Sequence, residues 1–157
     1  MPMANITCIF STILMGGNGE TCRGYAVSKD LIHWEELPIA LHAYKYGDMA
    51  YSGGAVVDKK NTSGLRTGKN SLIVATYTST GRGQCLVYSN DKGRTFKEYS
   101  GNPVITRANR DPRPLWYEPG KCWVNVVYEG YRDWETDRKS TRLNSSHITR
   151  ARMPSSA

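Results

Sequence analysis

Residues 70–96 read NSLIVATYTSTGRGQCLVYSNDKGRTF and contain the clearest strand and turn signals of the chain. Two apolar runs, 70–79 and 83–91, are separated by the turn-rich piece STGRG, and a second turn signal, DKGR, follows them. Short apolar runs bounded by Gly, Ser, Asn and Asp are typical of antiparallel strands joined by tight turns. The stretch therefore predicts a β-meander.

Similar runs recur along the rest of the chain, at 25–30, 51–58, 113–119 and 121–129. The 157 residues include 15 glycines, and no segment sustains the 3.6-residue periodicity of a helix. No stretch approaches the roughly 20 apolar residues that a membrane span needs. We therefore predict an all-β protein with no membrane partner.

An internal repeat refines the fold class. Residues 26–41 and 87–105 share an apolar strand, a Ser-x-Asp turn, an aromatic residue (Trp34 or Phe96), an acidic residue and a later proline. The serines Ser28 and Ser89 are 61 positions apart (89 − 28). A repeat of this length with about four strands predicts one propeller blade per repeat.

The second copy, SNDKGRTF at 89–96, resembles an Asp-box, S-x-D-x-G-x-T-W/F. In such a turn the Asp side chain closes the loop between two strands, and the aromatic residue packs beneath it. We therefore assign Asp91 to turn formation. Glu35 and Glu36, which follow Trp34, are expected in a solvated turn.

The motif Arg110-Asp111-Pro112, with a second proline at Pro114, opens the strand-like run at 113–119. Backbone N–H groups of residues i and i+2 point to the same side of a strand, so the two prolines remove donors from one edge only. Prolines are tolerated where that edge faces no partner strand. The edge could face a propeller channel, with Arg110 and Asp111 at its mouth, or could belong to an outer strand behind a polar turn.

Three ordered motifs carry a family resemblance. These are GYAVSKDLIHWEELPIAL (24–41), MAYSGGAVVD (49–58) and NRDPRPLWYEPGKCWVNVVYE (109–129). Together they resemble glycoside hydrolase family 32, the invertases, inulinases, levanases and exo-fructosidases. The resemblance implies a five-bladed β-propeller catalytic domain, of which this chain would hold about two blades, and cleavage of β-fructofuranosidic bonds with retention.

The resemblance also implies site roles. Asp111, in the family's Arg-Asp-Pro motif, would stabilise the transition state, and Arg110 would orient the carboxylates of the pocket. Tyr51 and Ser52, which match the family's Phe-Ser-Gly-Ser motif, would line the fructosyl pocket. The implied partner is a carbohydrate, the implied location is extracellular, and no metal or cofactor is expected.

Two departures from the family pattern bear on activity. The family's nucleophile lies in Trp-Met-Asn-Asp-Pro-Asn-Gly and its acid/base in Glu-Cys, and neither string occurs in this chain. Gly54 also replaces a family Ser, and Arg23-Gly24-Tyr25 replaces Trp-Gly-His. We therefore expect the chain to be a central fragment of the propeller that is inactive by itself and self-associates through uncovered blade faces.

The chain divides into three predicted segments. Residues 1–23 are poorly defined, 24–131 form the partial propeller, and 132–157 are a disordered tail that resembles translated adapter DNA and is not native to the fold. The net charge of +7 includes +3 from that tail, which carries six Lys/Arg and three Asp/Glu. No basic helix or Arg-aromatic alternation appears, so no nucleic-acid partner is predicted.

Two other function classes remain open on the sequence. One is a propeller that binds sugars without hydrolysing them, and the other is a sialidase-like propeller with several Asp-boxes. The four cysteines form no C-x-x-C pair and only three histidines are present, so a zinc site is not predicted. Cys85 and Cys122 lie in apolar runs and are expected to be inert thiols.

Overall fold

The computed structural model describes residues 6–8, 14–15, 21–106, 110–128 and 148–149, with side chains over 24–106 and 110–128. These ranges contain no helix, and therefore none that could span a membrane, which confirms the all-β prediction. Their strands are β1 (Ile6–Cys8), β2 (Leu14–Met15), β3 (Thr21–Ser28), β4 (Trp34–Leu41), β5 (Ala50–Asp58), β6 (Leu72–Ser79), β7 (Gly83–Ser89), β8 (Lys97–Glu98), β9 (Arg110–Tyr117), β10 (Cys122–Tyr128) and β11 (Ile148–Thr149).

The strands form three antiparallel sheets in chain order. In the first sheet, β3 pairs with β1, β2 and β4. The second sheet has the order β5-β6-β7-β8, which is a four-stranded meander. The third has the order β11-β10-β9. Short connections join β6 to β7 (80–82) and β7 to β8 (90–96), as the turn signals STGRG and DKGR predicted, whereas the longer segment 59–71 joins β5 to β6.

The second sheet lies between the other two and contributes to a core on each face. One cluster packs Ala75, Tyr77, Cys85 and Val87 against Phe96 and against Leu41 of the first sheet. The other cluster joins residues of the second and third sheets: Leu72, Val74, Leu86 and Trp123, with Val56 and Trp116 packed against them. Because β6 and β7 are covered on both faces, they read as nearly continuous apolar runs.

The strand-like runs of the sequence match observed strands, but β4 was missed. The structure places Glu35 and Glu36 inside β4, paired with Val27 and Ala26 of β3, so the solvated turn expected for them is wrong. Both glutamates are exposed. Half of the β4 side chains are exposed and none is buried, and the first three residues, 34–36, show no apolar alternation by which the start of a strand could be recognised.

The Asp-box forms the turn between β7 and β8. The Asp91 carboxylate accepts hydrogen bonds from the Thr95 N–H at 2.9 Å and the Thr95 hydroxyl at 2.6 Å, and the Ser89 hydroxyl donates to it at 2.7 Å. The Phe96 ring packs edge-on against Tyr25, with ring centroids 5.8 Å apart. The turn-forming role predicted for Asp91 is confirmed.

The terminal segments enter the sheets where they are described. β1 and β2, within the segment predicted to be poorly defined, pair with β3. Within the predicted tail, the described residues are Ile148 and Thr149, which pair with Val126 and Asn125 of β10. The rest of the tail prediction lies outside the described residues.

Candidate functional site

The candidate site depends on how β5 and β9 lie against each other. The Thr76 hydroxyl of β6 donates to the Pro112 carbonyl of β9 at 3.3 Å. A Cβ at Gly54 would lie 2.9 Å from Cδ of Arg113, so the two strands approach closely at this point. Gly54, where the family has Ser, therefore stands at the contact between the second and third sheets.

The two strands run in the same direction. Lys60 follows the end of β5 and Glu118 follows the end of β9, and their Nζ and Oε1 atoms are 3.5 Å apart. Because the ends of β5 and β9 meet, the starts of the two strands also lie together, at the opposite end of their sheets. These starts carry the four predicted site residues, Tyr51 and Ser52 on β5 and Arg110 and Asp111 on β9.

The open edge predicted from the two prolines is also present. Among the described residues β9 pairs with β10 on one edge and has no strand partner on the other. Pro112 and Pro114 are buried, while Arg113 and Leu115 between and beyond them are exposed. The prolines thus pack inward on a strand whose second edge needs no backbone donors.

Both strand starts contain a β-bulge. In β5, Tyr51 pairs with Thr78 and Gly53 with Tyr77, so Ser52 is the extra residue. In β9, Arg113 pairs with Val126 of β10 and Arg110 pairs with Tyr128. The β9 residues are three positions apart and their partners only two, so β9 contains one extra residue. A bulge changes the direction in which a side chain projects from the sheet, and bulges are over-represented beside active sites.

Asp111 has φ of +56°, in the left-handed region that few residues other than Gly adopt. Its side chain is 55% exposed, and its carboxylate Oδ2 lies 3.6 Å from Nε of Arg110. The Arg110 guanidinium in turn lies over the Tyr128 ring, 4.7 Å from the ring centroid. Tyr128 was missed from the sequence because its contact with Arg110 depends on the bulge.

Tyr51 and Ser52 present an aromatic ring and a hydroxyl at the same end of the sheets. Tyr51 is 42% exposed, and its hydroxyl donates to the Met49 Sδ at 2.9 Å. Ser52 is exposed. A Cβ at Gly53 would lie only 1.7 Å from the Thr76 carbonyl oxygen, so the bulge requires glycine after Ser52.

A second polar cluster, also missed from the sequence, fixes the turn between β6 and β7. Arg82 donates to both carboxylate oxygens of Glu98, at 2.7 and 3.1 Å, and to the Tyr77 hydroxyl at 2.6 Å. Hydrogen bonding from Arg82 lowers the pKa of Glu98 despite partial burial. Burial and the nearby Cys85 and Glu98 raise the pKa of Tyr77. These contacts connect the turn after β6 to β8. Both carboxylate oxygens of Glu98 are hydrogen-bonded within the cluster, so we assign the cluster a structural role.

The cysteines and acidic residues of the described part of the chain suggest no metal centre. No three His, Cys, Asp or Glu side chains there could jointly hold a metal ion. Cys85 and Cys122 are free thiols, and burial raises the pKa of Cys85 to about 11. A buried thiol with a raised pKa is a poor nucleophile, in agreement with its predicted inert role.

Comparison with known proteins decides the family. The model of the glycosyl hydrolases family 32 N-terminal domain matches residues 15–139. The chain belongs to glycosyl hydrolase family 32. This membership confirms the family resemblance of the three ordered motifs.

Similar curated proteins include a levanase from Bacillus subtilis and an invertase from Schizosaccharomyces pombe. The levanase is 52% identical over 116 residues, covering 69% of this chain and 17% of the levanase. The invertase is 42% identical over 123 residues, covering 69% of this chain and 21% of the invertase. The chain therefore spans about a fifth of the length of these relatives.

Solved family 32 enzymes share the fold. The exo-inulinase from Aspergillus awamori matches with a TM-score of 0.66 and 33% identity, over 79% of this chain and 30% of that one. The β-fructofuranosidase from Schwanniomyces occidentalis, complexed with fructosyl-erythritol, matches with a TM-score of 0.61 and 37% identity, over 68% and 23%. The three sheets are thus part of the family's β-propeller, as predicted.

Proposed function

We propose that this chain supplies part of the catalytic domain of a retaining glycoside hydrolase that cleaves β-fructofuranosidic bonds of the sucrose, inulin or levan type. The observation that carries the proposal is the position of Asp111. It lies beside Arg110 in a bulge at the start of β9, at the same end as Tyr51 and Ser52 on β5. The levanase and invertase relatives support the same substrate class.

In this proposal Asp111 stabilises the transition state. Retaining glycosidases pass through a state with oxocarbenium character, and hydrogen bonds that strengthen in that state lower the barrier. A carboxylate suits this role, since hydrogen bonds from sugar hydroxyls to an ionised acceptor are about twice as strong as neutral ones. The Asp111 side chain is 55% exposed and so can be reached by a sugar.

The neighbouring residues would shape the pocket. Arg110, held over the Tyr128 ring, would orient the carboxylates around the sugar. Tyr51 would form an aromatic wall against the apolar face of the fructosyl ring, and the Ser52 hydroxyl would contact its polar edge. Both side chains are exposed at the start of β5, as this role requires.

We propose further that the 157-residue chain releases no fructose by itself. A retaining mechanism needs a nucleophile and an acid/base carboxyl about 5–5.5 Å apart. The family motifs that carry these two groups do not occur in the sequence. The purified chain, incubated with sucrose, inulin and levan, is expected to produce no fructose above buffer, and any enzyme-dependent release would contradict this point.

A chimera tests the role of Asp111. Residues 24–128 of this chain would replace the aligned segment of the Bacillus subtilis levanase, and fructose release from levan would be measured. We expect the chimera to be active and its Asp111→Asn variant to lose about 10²–10³-fold in kcat, the usual effect of removing one group that stabilises transition-state charge.

Glu118→Gln is the matched control. Glu118 is an exposed carboxylate just after the opposite end of β9, so its loss should leave kcat unchanged. Equal kcat in the Asp111→Asn variant and the unmodified chimera would contradict the proposed role. A chimera that binds levan but releases no fructose would instead favour a sugar-binding propeller.

A further inference from the structure

Asp48 is a buried carboxylate just before β5 that no sequence motif identified. Its side chain is 3% exposed and lies between the loop before β5 and the turn after β6. It accepts hydrogen bonds from five donors, which are the Ser79 hydroxyl at 2.7 Å, the Thr80 hydroxyl at 2.8 Å, and the N–H groups of Gly81 at 2.8 Å, Met49 at 2.9 Å and Tyr44 at 3.3 Å.

These contacts fix the backbone of Met49. The Met49 N–H donates to Asp48 and also to the Thr80 hydroxyl oxygen at 3.0 Å. The Thr80 N–H donates back to the Met49 carbonyl at 3.1 Å. Both backbone polar groups of Met49 are therefore bonded, and each bond involves either Asp48 or a residue bonded to it.

Met49 in turn contacts the predicted pocket residue Tyr51. The Tyr51 hydroxyl donates to the Met49 thioether at 2.9 Å, and the Tyr51 ring remains 42% exposed. A continuous set of contacts thus runs from the buried carboxylate to an exposed aromatic ring at the candidate site. The ring is oriented by a side chain whose own backbone is fixed.

We propose that Asp48 is a positioning residue that orients Tyr51 through Met49 and so sets the aromatic wall of the fructosyl pocket. The proposal rests on the proposed function for the identity of the ligand, but the positioning itself can be tested without substrate. Asp48 would not touch the sugar.

Backbone N–H groups, which cannot accept, bond both carboxylate oxygens of Asp48: those of Met49 and Gly81 bond Oδ1 and that of Tyr44 bonds Oδ2. A carboxylate is an acceptor only, whereas an Asn amide in either orientation would direct its NH₂ group at an N–H donor. Burial raises the pKa of the Asp48 carboxyl, but hydrogen bonds from Ser79, Gly81 and Thr80 outweigh burial and hold the pKa below its usual range. Asp48→Asn therefore disrupts the positioning with almost no change in volume.

Asp58 provides a matched control at the other end of β5. It is 4% exposed and accepts four hydrogen bonds, from the N–H and hydroxyl groups of Thr62 and Ser63 at 2.8–3.1 Å. Asp58→Asn removes an equally buried charge at the last residue of β5. The hydrogen bonds of Asp58 with Thr62 and Ser63 lead away from Tyr51, so a general loss of stability would affect both variants alike, whereas a loss of positioning would affect Asp48→Asn alone.

The test is NMR of the 157-residue chain labelled with ¹³C at the methionine ε-methyl groups. Met49→Leu assigns the Met49 resonance among the five methionines. Tyr51→Phe gives the resonance position when the contact is lost. We expect Asp48→Asn to move the Met49 resonance more than halfway to its Tyr51→Phe position, and Asp58→Asn to leave it in place.

An unchanged Met49 resonance in Asp48→Asn, or an equal shift in Asp58→Asn, would overturn the proposal. If Asp48→Asn does not fold by circular dichroism, Thr80→Val replaces it. This variant removes one donor to Asp48 and the side-chain acceptor of the Met49 N–H, so the same shift is expected, and its absence overturns the proposal. A failed chimera experiment would reject the fructosidase function and leave this result unaffected.

Discussion

The two Ser-x-Asp turns of this chain, 28–34 and 89–96, follow one hydrogen-bonding plan in two settings. In each, a serine that ends a strand bonds the aspartate two residues later, Ser28 to Asp30 at 3.1 Å and Ser89 to Asp91 at 2.7 Å. In each, the residue after the aspartate has a positive φ, +67° at Leu31 and +62° at Lys92. The hydrogen bonds of each turn join residues that are close in sequence, which is why the sequence repeat indicated them.

The turns differ in length and in what their aromatic residue contacts. The second turn is one residue longer, and Gly93 there donates to the Ser89 hydroxyl at 2.8 Å, a bond that Leu31 makes to Ser28 in the first. Phe96 then packs on Tyr25 in the core between the first and second sheets. Trp34, in contrast, is 37% exposed. The same turn therefore stabilises a packed core in one blade and lies near the surface in the other.

Removing the two aromatic rings should give the largest difference between the turns. Phe96→Ala is expected to cost about 2–3 kcal/mol of unfolding free energy, below the range for a fully buried Phe because the ring is only partly buried. Trp34→Ala should cost less, about 1–2 kcal/mol, since more than a third of its surface is already in water. Urea unfolding followed by circular dichroism measures both, and equal losses would show that the two turns support the core equally.

The features predicted correctly from the sequence are those that neighbouring residues determine. The Asp-box was recognised because Ser89, Asp91 and Phe96 lie within eight residues and each has one role. The open edge of β9 followed from Pro112 and Pro114, whose missing N–H groups constrain one side of a strand. The family motifs extended this local knowledge to the residues that start β5 and β9.

The features that were missed depend on contacts between distant segments. Asp48 bonds residues 79–81, more than thirty positions away, and nothing adjacent to it marks it as buried. The bulge at Ser52 and the contact of Tyr128 with Arg110 appear only when strand register is known. β4 was missed for a different reason, since its first three residues are exposed and show no apolar alternation.

Acid should affect the two turns differently. Burial raises the pKa of the Asp91 carboxyl, but hydrogen bonds from Thr95 and Ser89 outweigh burial and hold the pKa below its usual range. A hydrogen bond from the His33 side chain is the main cause that lowers the pKa of Asp30. A carboxyl with a lowered folded-state pKa contributes stability above its unfolded-state pKa, and this stability is lost as pH falls through the folded-state value.

We therefore expect the unfolding free energy of the chain to fall below about pH 4. Asp91→Asn should lose about 1 kcal/mol at pH 7 and show a shallower fall in acid. Asp30→Asn should lose less, although its pKa is strongly lowered, because Asp30 is 44% exposed and water and salt weaken its contact with His33. Unfolding curves at pH 2–7, in low and high salt, measure this, and a salt-independent loss in Asp30→Asn that matches Asp91→Asn would contradict the difference.

The smallest expected effect concerns the backbone feature that the turns share. Leu31 is 54% exposed and has φ of +67°, a conformation that costs an L-residue about 1–2 kcal/mol, whereas Gly adopts it freely. Gly also raises the entropy of the unfolded chain, at a cost of about 0.5–1 kcal/mol. Leu31→Gly should therefore stabilise the chain by about 0.5 kcal/mol.

Lys92→Gly, at the corresponding position of the second turn, should shift the unfolding midpoint in the same direction, because the relieved backbone conformation is the same. A loss of stability in Leu31→Gly alone would mean that the Leu31 side chain contributes packing that the shared turn does not require, and the two turns would then differ in their backbone requirements as well as in their aromatic contacts.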